Sequence, residues 1–124
     1  MKSMKSIDFD ITRGDTVPFK FRRENGAGDV ITTLPINLWF TVKASANSSI
    51  VLIQKRLSNG SIIHDGEYYH FTLLPADTDM LEIGQTYRYD IEVKTTAGIR
   101  TIAKGCLTIT EEVTHAADEV MDDG

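Results

Sequence analysis

Three groups of side chains in this sequence have types that could do chemistry. His64, His70 and His115 could ligate a metal, but ligands must converge from set spacings and no pair here has the separation of a zinc motif. They read as solvated or locally bonded histidines. Ser61, His64 and Asp65 have the composition of a catalytic triad. Triads are brought together by the fold, with the acid on the far ring nitrogen, whereas these three flank one turn and read as turn residues. Asp77, Asp79 and Glu82 place three carboxylates within six residues, which raises calcium as a ligand. The third ligand and the glycine of a calcium loop are missing, and acids near a helix start account for the same residues. Arg13-Gly14-Asp15 spells a tripeptide that integrins read, but it falls where glycine and aspartate are ordinary turn residues. Cys106 is the single cysteine, which excludes an intramolecular disulfide and a cysteine-based zinc site. Its place in an apolar strand predicts an inert, buried thiol. No glycine-rich phosphate loop, dinucleotide fingerprint or nucleophile elbow is present. The sequence therefore predicts no catalytic, cofactor-binding or metal site, and no enzyme.

Contact with other proteins is the chemistry the residues do suggest. Trp39 is out of phase with Ile36, Leu38, Phe40 and Val42, which predicts either an aromatic on the outer face of its sheet or one covered by a second layer. Arg22 to Asp29 is polar with two glycines and reads as a loop, presenting Arg22 and Arg23. The tail from Glu111 is acidic and carries Val113 and Val120, so it reads as an assembly arm or a flexible end.

The elements that must position these residues are strands, since alternation of period two dominates the chain. Ile7 to Ile11 alternates, Thr12 to Asp15 turns, and Val17, Phe19 and Phe21 resume the apolar face. Pro18 argues for an edge there. Ile36, Leu38, Phe40 and Val42 predict one core face, and Ile50 to Gln54 reads as a strand covered on both sides. Asn59-Gly60 and Asp65-Gly66 are hairpin signals. Tyr69, Phe71 and Leu73 point one way, and Pro75 to Leu81 predicts a short helical turn. Tyr87, Tyr89, Ile91 and Val93 alternate with charged residues, and Ala97-Gly98 turns the chain into a last strand from Ile99 to Thr110, with a bulge expected at Gly105. About seven or eight strands with turns every 8–12 residues predict an all-β, Ig-like antiparallel β-sandwich over residues 1–110, with 111–124 as an acidic tail.

Length and charge bound the partners. At 124 residues the chain is one domain's worth. Six of its 18 acidic residues and none of its 13 basic ones lie from Glu111 onward, so the net charge of −5 hides a body at +1. A near-neutral body lacks the broad positive field of a nucleic-acid binder, and the acidic end repels phosphate. No apolar run approaches the ~20 residues of a membrane span, and the lysines near the start precede no apolar h-region of a secretory signal. No nucleic acid and no membrane are expected as partners.

The order of segments resembles a known group. Ile11-Thr12-Arg13-Gly14-Asp15-Thr16 with Phe19-Lys20-Phe21 is similar to the start of small Ig-like domains of tailed-phage tail and baseplate proteins. Leu38 to Lys43 resembles their next core strand, and Tyr69 to Leu73 with Pro75 to Thr78 their following strand and helical turn. Ile83 to Val93 and Lys104 to Thr110 look like their closing hairpin. The resemblance covers residues 7–114 and is nearest the amino-terminal domain of baseplate upper proteins. It implies a non-enzymatic virion component, made in the host bacterial cytoplasm, that joins other phage structural proteins and assembles as a homo-oligomer. Such relatives often continue into fibre or receptor-binding regions; this sequence stops, which points to a connector or adaptor. A capsid decoration protein is the first competing reading. A cell-surface adhesion or carbohydrate-binding module is the second.

Overall fold

Alternation leaves each strand one apolar face, and such faces are removed from water by packing sheet on sheet. The computed structural model describes residues 2–3 and 8–111. In chain order the elements are β1 (Lys2–Ser3), β2 (Phe9–Thr12), β3 (Val17–Phe21), β4 (Arg23–Glu24), β5 (Val30–Ile31), β6 (Asn37–Lys43), β7 (Ile53–Arg56), β8 (Ile63–Asp65), β9 (Tyr68–Leu73), α1 (Pro75–Thr78), β10 (Thr86–Thr95) and β11 (Gly98–Thr110). One sheet runs β1-β3-β9-β8 and the other β2-β11-β10-β6-β7, while β4 and β5 pair as a separate ribbon.

This is the strand order of an Ig-like sandwich, the ABED sheet facing the GFC sheet extended by a C′ strand. A second mark of that fold is a tyrosine at the start of its F strand that bonds back to the preceding corner. Here Tyr87, at the start of β10, accepts a hydrogen bond from the Glu82 N–H at 2.8 Å. The core holds no inter-sheet disulfide and relies on aromatic contact. Phe40 of β6 stacks on Phe71 of β9 at 4.4 Å, and Phe9 of β2 meets Phe19 of β3 at 5.1 Å, both across the two sheets. Phe19, Phe40, Leu38, Tyr69, Ile91, Leu107 and Ile109 are fully buried around them.

The α1 corner ties the layers together. Thr78 Oγ1 accepts from Gly14 N–H at 3.1 Å, holding the turn between β2 and β3. Asp77 accepts from Leu74 N–H at 2.7 Å and pairs with Lys55 of β7 at 2.8 Å. One short turn thus reaches both sheets. Gly14 in the facing turn has φ 89°, a conformation that glycine takes without a Cβ clash.

Several local expectations are corrected. The strand pairing is not wholly antiparallel, since β2 runs parallel to β11 and β1 parallel to β3. The described chain has more short strands than expected because the Arg22–Asp29 loop is a β-ribbon: Asn25 Oδ1 accepts from Ala27 and Asp29 N–H and closes a tight turn between β4 and β5. Ile36 is 58% exposed because it precedes β6, whose inward-facing residues begin at Leu38. Ile50 and Val51 are also exposed; the strand begins only at Ile53, at a sheet edge. Asn59-Gly60 makes a turn, but it carries the chain from β7 in one sheet to β8 in the other, so it is a corner and not a hairpin. The irregularity in β11 falls beside Ile102, with Gly105 in regular register opposite Tyr89.

Candidate functional site

The outer face of the five-stranded sheet collects the side chains that alternate away from the core. On β6, Leu38, Phe40 and Val42 point inward, so Trp39, Thr41 and Lys43 point out. Register places Trp39 between Glu92 of β10 and Arg56 of β7. Trp39 is half-buried, so it is neither a free aromatic platform nor sealed under another layer.

Two residues along, the same face dips into a depression of about 550 Å³. Thr41 and Lys43 form one wall, Arg88 and Asp90 the floor strand, and Lys104 the opposite wall, with the 44–49 loop at the rim. Tyr89 and Gly105 complete the lining, with the Tyr89 ring itself turned into the core against Phe9 and Phe40. Thr41 is buried and accepts from Gln54 Nε2 at 3.2 Å, which fixes that wall. Burial pushes the Asp90 carboxyl above its ordinary value, and the neighbouring Lys43 ammonium opposes the shift. Three cations and one partly desolvated carboxylate therefore share one shallow site. Its chemistry is recognition of negative charge, with no nucleophile and base in contact among the described residues.

Arg22 and Arg23 lie elsewhere, near the four-stranded sheet. Arg22 bonds Glu24 at 2.9 Å, lies 3.8 Å from Glu67, and sits over the Tyr68 ring at 5.9 Å. The Glu24 bond is the main reason its guanidinium holds its proton more tightly than usual. Lys20 covers the same ring at 4.6 Å. Arg23 donates to the Thr33 carbonyl at 2.9 Å and so braces the ribbon. The structure does not bring these arginines together with Trp39, and Val113, Val120 and His115 lie outside the described residues.

The other polar groups are held by local structure. Ser61 Oγ accepts from Arg56 N–H at 2.7 Å at the corner, while His64 turns inward against Tyr69, with ring centroids 4.7 Å apart. His70 faces outward, in register between Lys20 and Ile63. Among the described residues no three His, Cys, Asp or Glu side chains gather as a metal site, and no helix is long and apolar enough to cross a membrane. Cys106 is not in the core. It is half-buried on the outer face opposite Arg88, because its neighbours Gly105 and Leu107 take the inward phase, and its N–H donates to Asp8 at 2.9 Å.

Lys43, Arg88, Asp90 and Lys104 were not separable in the sequence as a group. The alternation Arg88, Asp90, Glu92, Lys94 signals one charged face, but only the pairing of β10 with β6 and β11 brings Lys43 and Lys104 beside it.

No family model matches the chain, and no curated protein does. Among solved structures the chain is similar to the twitchin kinase region from C. elegans (Fn31-NL-kin-CRD-Ig26), with a TM-score of 0.44 and 18% sequence identity, over 82% of this chain and 14% of that one.

Proposed function

We propose that this Ig-like domain is a non-enzymatic assembly module that binds other proteins through the outer face of its five-stranded sheet. The observation that carries the reading is Trp39, the single tryptophan, held half-buried between Arg56 and Glu92 beside a charged depression. Tryptophan and arginine are enriched where binding energy concentrates, and a rim of charges sets register and orientation. A rigid sandwich with this face open suits repeated contacts in a symmetric assembly. The setting we infer is a phage virion, as a tail or baseplate connector that binds structural proteins and its own copies; the order of strand motifs in the sequence supports it.

The test is the mass of the full chain by light scattering, with and without Trp39→Ala. Trp39 points away from the core, so the variant should keep its circular dichroism. The expected outcome is an oligomer whose dissociation constant rises at least tenfold on substitution, as for a central aromatic anchor. A wild type that stays monomeric at high concentration, or an oligomer unmoved by the substitution, overturns the assignment of this face to self-assembly.

A further inference from the structure

The two ends of the sandwich both expose apolar residues, but in the company of opposite charge. Strand β10 runs from one end to the other, and its 10 residues separate them by roughly 30 Å at ~3.3 Å per residue. At the end where β10 turns into β11, Leu34, Ile36 and Ile99 are exposed. Ile36 N–H donates to the Lys94 carbonyl at 2.8 Å and Ile99 is in register with Lys94, which brings both isoleucines to that strand end. Lys94 and Arg100 stand exposed beside them. At the other end, where Tyr87 closes the α1 corner, Leu74, Met80 and Ile83 are exposed. Here the exposed neighbours are the carboxylates of Asp79 and Glu82. None of these four charged side chains has an ion-pair partner among the described residues. Arg13 and Asp15 in the adjoining β2–β3 turn offset one another, and Glu111 follows β11 at the same end.

We propose that copies of this chain join end to end, the β10–β11 end of one seated on the α1 corner of the next. Exposed apolar residues within a charged rim mark contact surfaces. The sign of each rim selects the symmetry. A two-fold contact joins the same patch on both copies, so it would set Lys94 and Arg100 against themselves, or Asp79 and Glu82 against themselves. Contact between unlike ends instead pairs cations with carboxylates while the apolar residues meet between them. Such a contact is heterologous, so it closes a ring or extends a row. The inference goes beyond the sheet-face reading and does not depend on the virion setting. Trp39 lies one row back from Lys94 on the outer face and points sideways from the row, toward a lateral partner.

The experiment is cysteine cross-linking of the full chain carrying Cys106→Ser, so that the thiols are only those introduced. Ile99→Cys and Met80→Cys replace side chains that are 60% and 68% exposed, one at each end, and both variants should keep the circular dichroism of the wild type. The two preparations are mixed in equal amounts and treated with a short bismaleimide, and mass spectrometry identifies which positions are joined. The expected result is links between position 99 of one copy and position 80 of another, about fivefold or more above the links either variant makes with itself. Lys94→Glu with Arg100→Glu in the first preparation should lower the mixed links about tenfold, and Asp79→Lys with Glu82→Lys in the second should restore them. Like-with-like links as abundant as mixed ones, no mixed links, or a charge swap that fails to restore them overturns the proposal. Trp39→Ala in both preparations should leave the mixed links in place. Their loss on that substitution overturns the end contact and leaves self-association to the sheet face. Mixed links that persist while the mass of the full chain ignores Trp39→Ala support the end contact and overturn the sheet-face assignment instead.

Discussion

Tyr87→Phe isolates one hydrogen bond that joins the α1 corner to β10. Tyr87 is only 8% exposed, and phenylalanine keeps its ring burial, so the change removes the hydroxyl and little else. That hydroxyl accepts from Glu82 N–H at 2.8 Å in a partly buried setting. Losing a typical bond costs about 0.5–1.5 kcal/mol, and stranding a buried donor costs about 1–3 kcal/mol. Glu82 is itself exposed, so water can reach the freed N–H and the lower part of that range applies, about 1–1.5 kcal/mol. For a domain near this size that is roughly 4–6 °C in Tm. In urea, with m of about 1–3 kcal/mol/M, the midpoint should fall by about 0.3–1.5 M at unchanged m. Tyr69→Phe is the matched control. The Tyr69 hydroxyl is buried with no hydrogen-bonding partner among the described residues, so its removal should leave stability unchanged or raise it slightly. Urea unfolding followed by Trp39 fluorescence measures both. A loss below about 0.3 kcal/mol for Tyr87→Phe, or an equal loss for both variants, refutes the assignment of the corner bond as a specific tie.

Two further outcomes follow from the charged groups. Burial raises the Asp90 pKa, so the folded state favours its protonated form and stability from this group declines as pH rises from the ordinary value of 3.8 through the raised folded value. Asp90→Asn should therefore raise Tm at pH 7, with the gain shrinking to nothing below pH 3.8; a Tm that falls at pH 7 would show that the Lys43 attraction outweighs burial. Asp77→Ala removes both the Leu74 N–H acceptor and the partner of half-buried Lys55. It should cost about 1–2 kcal/mol in urea unfolding, and a neutral result would mean that α1 is not held by this carboxylate.

The features most legible in the sequence were those set by local alternation. Tyr87, Tyr89, Ile91 and Val93 each take the inward phase, as do Tyr69, Phe71 and Leu73, because a period of two leaves no other way to bury them together. Where a segment's environment depends on its neighbours in space, period alone fails. Ile36 continues the apolar phase of β6 but precedes the strand and is exposed, and Ile50 and Val51 form an apolar run that stays exposed ahead of β7. Asn59-Gly60 specifies a turn without specifying which sheet receives the chain, since the glycine supplies φ 81° equally to a hairpin or to a corner. The candidate site divides in the same way. Trp39's phase was visible from its four neighbours, but Lys43 and Lys104 lie 61 positions apart and meet only because β10 pairs with a strand on each side. Long-range register is the information a single sequence holds least openly, and a surface built across three strands depends on it entirely. For this fold, the phase of one strand can nominate an anchor such as Trp39, whereas the charges that give its surface a sign come from the strand order.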